Sequence, residues 1–353
     1  MSNRDWILYG ATGYTGRCIA EEAERRGLLP ILAGRNGHTV QELAGRFGAN
    51  HRVFDLDDAD RLRESICGAC LILNCAGPFS ATAGPLMAAC LAEHVHYLDI
   101  TGEIDVIESA AALDREAKAA GVTLLPAVGF DVVPSDCLAG KLAEKLPGAS
   151  QLQLAISTMG SLSPGTAKTM LEAVWKGGRV RVDGRLQRVP LAWKTREVPF
   201  REGPRLAMTI PWGDVASAYY STGIGNIEVY AAGSARQIAA LQRWRWLLPA
   251  LAVWPLRTLA KWSIERRLPG PSAESRERET ASLWGRVENP QGDRAEATLT
   301  TPNGYTLTVM TALAAVERLL NAPLSTGFLT PALAFGPDFI TTFPGCDFRF
   351  TAA

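Results

Sequence analysis

The sequence feature that most constrains the fold is a glycine triplet near the start of the chain. Four apolar residues, 6–9, precede glycines at 10, 13 and 16, and an amphipathic helical pattern follows and stops at Gly27. Gly10 would permit the turn out of the strand, Gly13 the approach of a pyrophosphate, and Gly16 close packing of the helix. The alternative is a loop without a ligand, but the flanking strand and helix favour a phosphate site, since a helix N-terminus attracts anions. The predicted cofactor contacts are Gly10, Thr12, Gly13, Tyr14, Thr15 and Gly16.

The end of the second predicted strand indicates which nicotinamide cofactor fits. NAD sites place an acidic residue at this point to bind the ribose 2′-hydroxyl, whereas NADP sites supply a cation for the 2′-phosphate. Here the strand over 29–33 runs into Gly34 and Arg35, with no acid. A guanidinium can bind phosphate through two parallel hydrogen bonds, although a surface arginine without a ligand is the alternative. The sequence therefore predicts NADP.

Strand and helix patterns alternate as far as residue 146, which predicts a doubly wound parallel sheet. We expect strands over 6–9, 29–33, 51–54, 71–75, 96–100 and 122–126. Asp55 ends the third strand and could bind the adenine amino group, although Asp55, Asp57 or Asp58 could instead cap the next helix. The turn after the fourth strand predicts nicotinamide contacts from Cys75, Ala76, Gly77, Pro78 and Phe79, before a helix over 84–94. Ser135 or Asp136 is expected to cap the helix that ends at Leu146.

The alternation breaks at residue 151, where a second, α+β domain with an antiparallel or mixed sheet is expected. Its signals are an alternating strand over 151–156, a helix over 163–175, and a hairpin over 177–186 with an Asp-Gly turn. Two further strands are predicted between 212 and 230, and a second hairpin over 297–309 around Pro302-Asn303-Gly304. A substrate cover and a dimerisation domain remain equally compatible with this composition.

Residues 243–262 combine four tryptophans with arginine, lysine and two prolines. The stretch is shorter than the ~20 apolar residues that a membrane span requires. Tryptophan with flanking cations is typical of segments that lie on a lipid surface or line an acyl-chain entrance. A buried helical hairpin or a subunit interface is the alternative. We therefore keep peripheral membrane contact as one hypothesis for this segment.

Composition narrows the function classes further. Formal net charge is zero, which argues against a nucleic-acid partner. Seven scattered cysteines and no signal-peptide pattern predict a cytoplasmic location, possible membrane contact aside. The C-x-x-C of Cys67 and Cys70 lacks a second ligand pair, so no metal site is expected and both are predicted to be core residues.

Several of these stretches together resemble the saccharopine dehydrogenase-like oxidoreductase family, and in particular its bacterial trans-acting enoyl reductase-like branch. The residues that carry the resemblance are 9–17, 32–35, 74–79, 97–103, 129–136, 270–272 and 327–336. The resemblance implies an NADP-binding Rossmann domain over 1–148 and an inserted domain over 149–324. It also implies that residues 325–353 return to the first domain. It does not imply saccharopine as the substrate.

The favoured function is hydride transfer to or from a polarised double bond, in which the protein fixes geometry and supplies a proton. The resemblance suits reduction of a C=C bond conjugated to a thioester. Imine reduction, or oxidative deamination of a saccharopine- or opine-like amino acid, is the alternative. Asp131 and Tyr97 follow or end strands at the cofactor edge and are the candidate proton donors, although each could be a cap or a core hydroxyl. The expected partners are a small hydrophobic or acyl substrate and a second copy of the chain, and a regulator that binds NADPH without turnover stays open.

Overall fold

The computed structural model describes residues 5–158, 177–245, 274, 278–322 and 324–351. The chain divides into two compact units, each made from two chain segments. Unit 1 comprises Met1–Phe130 and Leu307–Ala334, and unit 2 comprises Asp131–Thr306 and Phe335–Ala353. These divisions differ from the predicted boundaries at 148 and 324, because the helix after residue 132 packs on the second sheet rather than the first.

Unit 1 contains a parallel sheet, as predicted, but with seven strands instead of the six predicted. Its strands are β1 (Trp6–Tyr9), β2 (Ile31–Gly34), β3 (His51–Val53), β4 (Leu71–Asn74), β5 (His96–Asp99), β6 (Thr123–Leu125) and β15 (Gly327–Phe328). They lie in the order β15-β6-β5-β4-β1-β2-β3. The order reverses between β1 and β4, so these two neighbours form the switch point, where doubly wound sheets bind ligands at the strand carboxyl ends.

The helices of unit 1 follow the strands in turn. They are α1 (Tyr14–Arg25), α2 (Gly37–Phe47), α3 (Ala59–Ile66), α4 (Phe79–Glu93), α5 (Ile104–Ala112) and α6 (Asp114–Ala120). Of the three candidate caps, Asp58 is the one that caps α3, because its carboxylate accepts the Arg61 N–H. The predicted start of α4 at Gly84 is wrong. The helix begins at Phe79 and tolerates Pro85 inside it.

Two late elements complete unit 1. Helix α10 (Gly304–Asn321) contributes its residues from Leu307 onward, and β15 pairs with β6 at the sheet edge. The Thr311 hydroxyl donates to the carbonyl of Val128 at 2.7 Å, and the Phe130 N–H donates to the Thr308 hydroxyl at 3.0 Å. These contacts hold the loop that follows β6.

Unit 2 contains a mixed sheet, which is one of the two kinds predicted, and it has nine strands. Its strands are β7 (Gln151–Thr158), β8 (Gly178–Val182), β9 (Arg185–Val189), β10 (Thr195–Phe200), β11 (Gly203–Thr209), β12 (Asn226–Ala232), β13 (Thr280–Glu288), β14 (Arg294–Pro302) and β16 (Asp347–Phe350). Strands β12 and β7 are parallel, and the other described pairs are antiparallel. Because β16 pairs with β14, the last described strand belongs to unit 2 and not to the first domain.

The described helices of unit 2 correct several local predictions. They are α7 (Val133–Lys145), α8 (Asp214–Thr222), α9 (Ala235–Trp244), the short α11 (Pro331–Phe335), which spans the boundary between the units, and a 3-10 helix (Pro337–Thr342). Where two strands were predicted between 212 and 230, α8 precedes the single strand β12. The second predicted hairpin is also wrong, because Asn303 accepts the Tyr305 N–H and starts α10 instead of a turn.

Two sequence predictions concern segments that the structure describes only in part or not at all. The predicted helix over 163–175 lies outside the described residues, as does the segment 243–262 beyond Arg245. Trp244, at the end of α9, is 52% exposed. Among the described residues, no helix has the length and apolar character to cross a membrane.

Candidate functional site

The glycine loop between β1 and α1 is packed as tightly as the motif requires. Gly10 has φ +80°, and a Cβ there would lie 2.7 Å from the backbone N of Ala76. A Cβ on Gly16 would lie 2.3 Å from the Gly10 carbonyl oxygen. Neither position has room for a side chain. Glycine at position 10 therefore allows the loop to pack directly against the turn after β4, at the switch point.

The N-terminus of α1 is open in the way an anion site demands. Gly13 is the exposed N-cap residue; no side chain caps the helix, and its first turn has no acidic residue. Thr12, Tyr14 and Thr15 are half-buried around it. Helix N–H groups without a side-chain cap fit a phosphate. The residues present therefore fit the pyrophosphate of a dinucleotide.

At the neighbouring end of β2, the structure brings two predicted adenosine-site residues near one tyrosine. The Tyr9 ring stacks on Phe54 with centroids 5.0 Å apart. Burial raises the pKa of Tyr9 to about 12, nearby Asp55 raises it further, and nearby Arg35 opposes the rise. Arg35 is exposed, while the Asp55 carboxylate accepts the Leu56 N–H at 2.6 Å. Arg35 is therefore accessible to a ligand at the end of β2, the position at which the sequence predicts the 2′-phosphate.

The turn after β4 is held by a carboxylate from another loop. Phe79 and Ser80, at the start of α4, donate their N–H groups to the two Glu103 carboxylate oxygens at 2.8 and 3.1 Å. Pro78 is the N-cap residue and offers no side-chain cap. Glu103 supplies the missing cap from 24 residues away, which explains why α4 begins earlier than predicted.

A buried polar cluster lies beside this turn. Asn74 and Asp99 are paired across β4 and β5, and Tyr97 lies on the same face as Asp99, two residues before it. The Tyr97 hydroxyl donates to Asp99 at 2.8 Å and accepts from the Asn74 amide at 3.2 Å. Burial raises the pKa of Asp99 to about 6, while its hydrogen bonds to Ala127, Thr101 and Tyr97 oppose the rise.

Tyr97 is thus fully buried, with its hydroxyl committed to Asp99. Burial, with the Asp99 charge second, raises the pKa of Tyr97 well above its ordinary value. Its assignment as a proton donor stays a prediction, but these contacts are those of a residue that positions its neighbours.

Asp131 is the first residue of unit 2 and the second candidate proton donor. Its side chain is half-buried, and desolvation raises the pKa of its carboxyl to about 6. Its backbone carbonyl accepts the Trp212 indole N–H at 2.6 Å. A carboxyl with this pKa can both give and take a proton near neutral pH.

Behind Asp131, unit 2 holds two fully buried carboxyls. Asp136 accepts the Ser221 hydroxyl at 2.6 Å, and the Ser135 hydroxyl donates to the Val132 carbonyl. Neither is the N-cap residue of α7, contrary to the prediction, because the helix begins before them at Val133 and its N-cap residue is Val132. Neither carboxyl oxygen of Asp214 has a hydrogen-bond partner among the described residues. Burial raises the pKa of Asp214 well above its ordinary value, and the charges of Asp136 and Asp131 add to this. The Ser135 hydroxyl opposes the rise without reaching hydrogen-bond geometry.

Sequence reasoning missed Asp99, Glu103 and Asp214 as site residues. Asp99 and Glu103 had a usable signal, since they end and follow a strand at the ligand edge. Asp214 had none, because its helix was predicted as a strand. Among the cysteines, Cys67 is exposed, contrary to the core prediction, and Cys70 is half-buried. No cluster of metal-ligating side chains occurs among the residues described.

The parallel sheet, the glycine loop and the open α1 N-terminus define a dinucleotide-binding domain. Residues 6–125 match the family model of the saccharopine dehydrogenase NADP-binding domain, about a third of the chain. Unit 1 therefore carries an NADP-binding domain of the saccharopine dehydrogenase type, which confirms the predicted resemblance and cofactor.

Relatives extend the likeness beyond this domain. A trans-acting enoyl reductase-like protein of Mycobacterium tuberculosis is 32% identical over 184 residues, which are 48% of this chain and 44% of that protein. The trans-acting enoyl reductase of Mycobacterium leprae is 34% identical over 141 residues, 37% of this chain and 34% of its own. The chain thus spans less than half the length of these curated relatives. Apo saccharopine dehydrogenase from Saccharomyces cerevisiae has the same fold, with a TM-score of 0.68, 12% identity, and coverage of 99% of this chain and 100% of that one.

Proposed function

We propose that the chain is an NADP(H)-dependent oxidoreductase that transfers hydride to or from a polarised double bond, most directly the C=C bond of an enoyl thioester. The observation that carries this is the open α1 N-terminus together with Arg35 at the end of β2. The names of the mycobacterial relatives support the choice of C=C reduction. The proposed substrate is accordingly a small molecule with a hydrophobic or acyl part.

Different residues of unit 1 bind different parts of the cofactor. The backbone from Gly10 to Gly16 holds the pyrophosphate, and Arg35 binds the 2′-phosphate. The turn from Cys75 to Phe79, next to Gly10, supports the nicotinamide half. When bound, the reduced cofactor supplies a hydride, and the oxidised form accepts one.

Asp131 is proposed to handle the proton that accompanies the hydride. In C=C reduction its carboxyl donates the proton to the carbon next to the thioester carbonyl, and in the reverse direction its carboxylate removes that proton. With a pKa of about 6, roughly a tenth of the group is protonated at pH 7. Water or a neighbouring group then restores the proton before the next turnover.

Two alternatives remain as proposals of lower rank. Imine reduction, or the reverse deamination of an opine-like amino acid, would use the same cofactor site and the same Asp131. An NADPH-binding regulator would use the cofactor site alone. Incubation of the protein and NADPH with an enoyl thioester, an imine-forming keto acid and amine pair, or no substrate separates the three, by loss of nicotinamide absorbance. Loss with the thioester alone supports the first proposal.

The cofactor assignment is tested at Arg35. Arg35→Ala is expected to weaken NADPH binding by about 10- to 100-fold, the cost of one charge-assisted contact, and to leave NADH binding unchanged. Titrations of both cofactors against wild type and variant measure this. Arg25→Ala is the matched control, since Arg25 is an exposed arginine in the last turn of α1. Equal losses for NADH and NADPH would remove Arg35 from the 2′-phosphate.

The other expectations stay proposals. We propose a homodimer, a cytoplasmic location and peripheral membrane contact through residues 243–262. The exposed Trp244 supports the last of these, because an indole at the protein surface can enter a lipid interface.

A further inference from the structure

The hydrogen bonds around Asp99 form a circuit that connects the two ends of the turn after β4, Ala76 and Phe79. From Ala76 the circuit runs through Asn74 and Tyr97 to one Asp99 oxygen, with distances of 2.9, 3.2 and 2.8 Å. The other Asp99 oxygen accepts the Thr101 N–H at 2.9 Å. The Thr101 hydroxyl accepts the Glu103 N–H at 3.0 Å, and Glu103 accepts the Phe79 N–H at 2.8 Å. Both ends of the turn are therefore fixed by one buried network.

A second branch of the network reaches the loop after β6. The same Asp99 oxygen that binds Thr101 accepts the Ala127 N–H at 2.8 Å, and the Asp99 carbonyl accepts the Val128 N–H at 2.8 Å. Ala127 has φ +64°, an uncommon conformation for a residue with a side chain. Asp99 therefore holds three loops at the carboxyl edge of the sheet, including the loop that runs on to Asp131.

The chemistry of residue 99 is specific. One carboxylate accepts three hydrogen bonds, two from backbone N–H groups and one from a hydroxyl, in a position with no solvent exposure. An asparagine would keep one oxygen but turn an N–H₂ group toward at least one of these donors. A buried donor left without an acceptor is destabilising, so the loops would move to satisfy it.

We propose that Asp99 is a positioning residue that fixes the nicotinamide half of the cofactor site, acting through the turn at 76–79 and the loop at 127–130. This inference rests on the proposed cofactor placement. It concerns binding geometry, so it does not depend on which substrate is reduced. The adenosine half is built on β1, β2 and α1, whereas the side chains of the Asp99 circuit lie on β4, β5 and the loop after β5.

The test compares two ligands that share the adenosine half. Asp99→Asn is expected to weaken NADPH about tenfold and to leave adenosine 2′,5′-bisphosphate, which has no nicotinamide, unchanged. The emission of bound NADPH should shift toward that of free NADPH, since the nicotinamide loses a fixed environment. Tyr97→Phe removes only one of the three donors and should give a smaller change in the same direction.

Asp114→Asn is the matched control, because the Asp114 carboxylate also accepts a backbone N–H, that of Phe328, away from the circuit. It should affect neither ligand. Equal weakening of both ligands by Asp99→Asn, or no change in either, would overturn the proposal. If Asp99→Asn does not fold, Tyr97→Phe decides by the same comparison.

A failure of the positioning role and a failure of the proposed oxidoreductase function would give different results. Wild-type protein that binds NADPH no more tightly than the bisphosphate would overturn the positioning role, because no nicotinamide contact would exist to be fixed. Failure to reduce any substrate, with the ligand difference intact, would count against the oxidoreductase proposal alone.

Discussion

Helices α1 and α4 begin beyond the carboxyl ends of neighbouring strands, yet only the N-terminus of α4 is capped by a carboxylate. The first turn of α1 has no acid and no side-chain cap. The first two N–H groups of α4 are both bonded to the Glu103 carboxylate. Two helices that follow adjacent strands of one sheet thus differ at their positive ends. The end of α1 has no carboxylate partner, and the end of α4 is neutralised by Glu103.

The difference assigns a role to each helix. An N-terminus whose N–H groups are bonded to a carboxylate cannot also bind a phosphate, so Glu103 supports the proposal that α1 rather than α4 is the anion site. Helix position in a doubly wound sheet does not by itself distinguish the two helices. The Glu103 carboxylate on the adjacent loop does.

The largest effect is expected when a carboxylate is placed at the N-terminus of α1, which removes its difference from α4. Gly13→Asp is expected to abolish measurable NADPH binding, a loss of at least about 100-fold, because the side chain would occupy the N-terminus and repel phosphate. The same change should raise the free energy of unfolding by only a few tenths of a kcal/mol, because glycine is itself a tolerated N-cap residue. Cofactor titration and urea denaturation measure the two effects.

Gly13→Val serves as the uncharged control and should also abolish binding by bulk, but without the gain in stability. A Cβ at this position meets only the Gly10 oxygen, at 3.2 Å, so both variants should fold. NADPH binding of wild-type strength by either variant would show that the pyrophosphate lies elsewhere.

The converse change removes the carboxylate from α4. Glu103→Ala is expected to lower the free energy of unfolding by about 1–2 kcal/mol, the cost of a lost helix cap. Glu103→Gln should lose about half as much, since it keeps one acceptor oxygen. Added inorganic phosphate should stabilise the alanine variant more than wild type, because an anion site has opened. If phosphate acts equally on both proteins, Glu103 does not neutralise that helix.

The N-terminus of α8 carries a carboxyl group of its own, and the effect expected from changing it is the smallest of the three. Asp214 begins α8 with a raised pKa, and neither of its carboxyl oxygens has a hydrogen-bond partner in the described part of the chain. Since the folded pKa exceeds the unfolded one, the folded state holds the extra proton, and stability falls as pH rises from the unfolded pKa near 4 toward the folded pKa. Asp214→Asn should therefore gain stability relative to wild type as pH increases from 5 to 8.

Denaturation of both proteins across that pH range measures the difference, and taking the difference cancels the similar contribution of Asp99. A gap between the two proteins that does not change with pH would mean that Asp214 does not titrate differently in the folded state.

The sequence was most informative where a residue's role depends on its immediate neighbours. Gly10, with its positive φ, and Gly16, with no room for a Cβ, follow from their spacing between a strand and a helix. The exposed position of Arg35 directly after β2 was also predictable, while its contact with a 2′-phosphate stays a prediction. The Asp-Gly turn between β8 and β9 was likewise predicted, since Asp183 and Gly184 both have positive φ, as that turn requires.

Features that depend on distant residues could not be predicted in this way. The start of α4 depends on Glu103, which no local pattern connects to Phe79. The Asp99 circuit depends on the pairing of Asn74 with Asp99, which appears only when β4 and β5 are adjacent. Asn303-Gly304 is a turn signal that also starts helices, and the choice was decided by the packing of α10 in unit 1.

The return of α10 and β15 to unit 1 bears on how the protein is made. A ribosome that has released only residues 1–130 has exposed every strand of the first sheet except the edge strand β15. It has also exposed the β6 loop, but not Thr308 and Thr311, which bind that loop. The cofactor domain can close only after residue 334 has emerged, when some 175 residues of the other unit have already been synthesised. Until then, the unpaired side of β6 is a strand edge open to other chains. Early occupation of the α1 phosphate site would stabilise the domain during that interval.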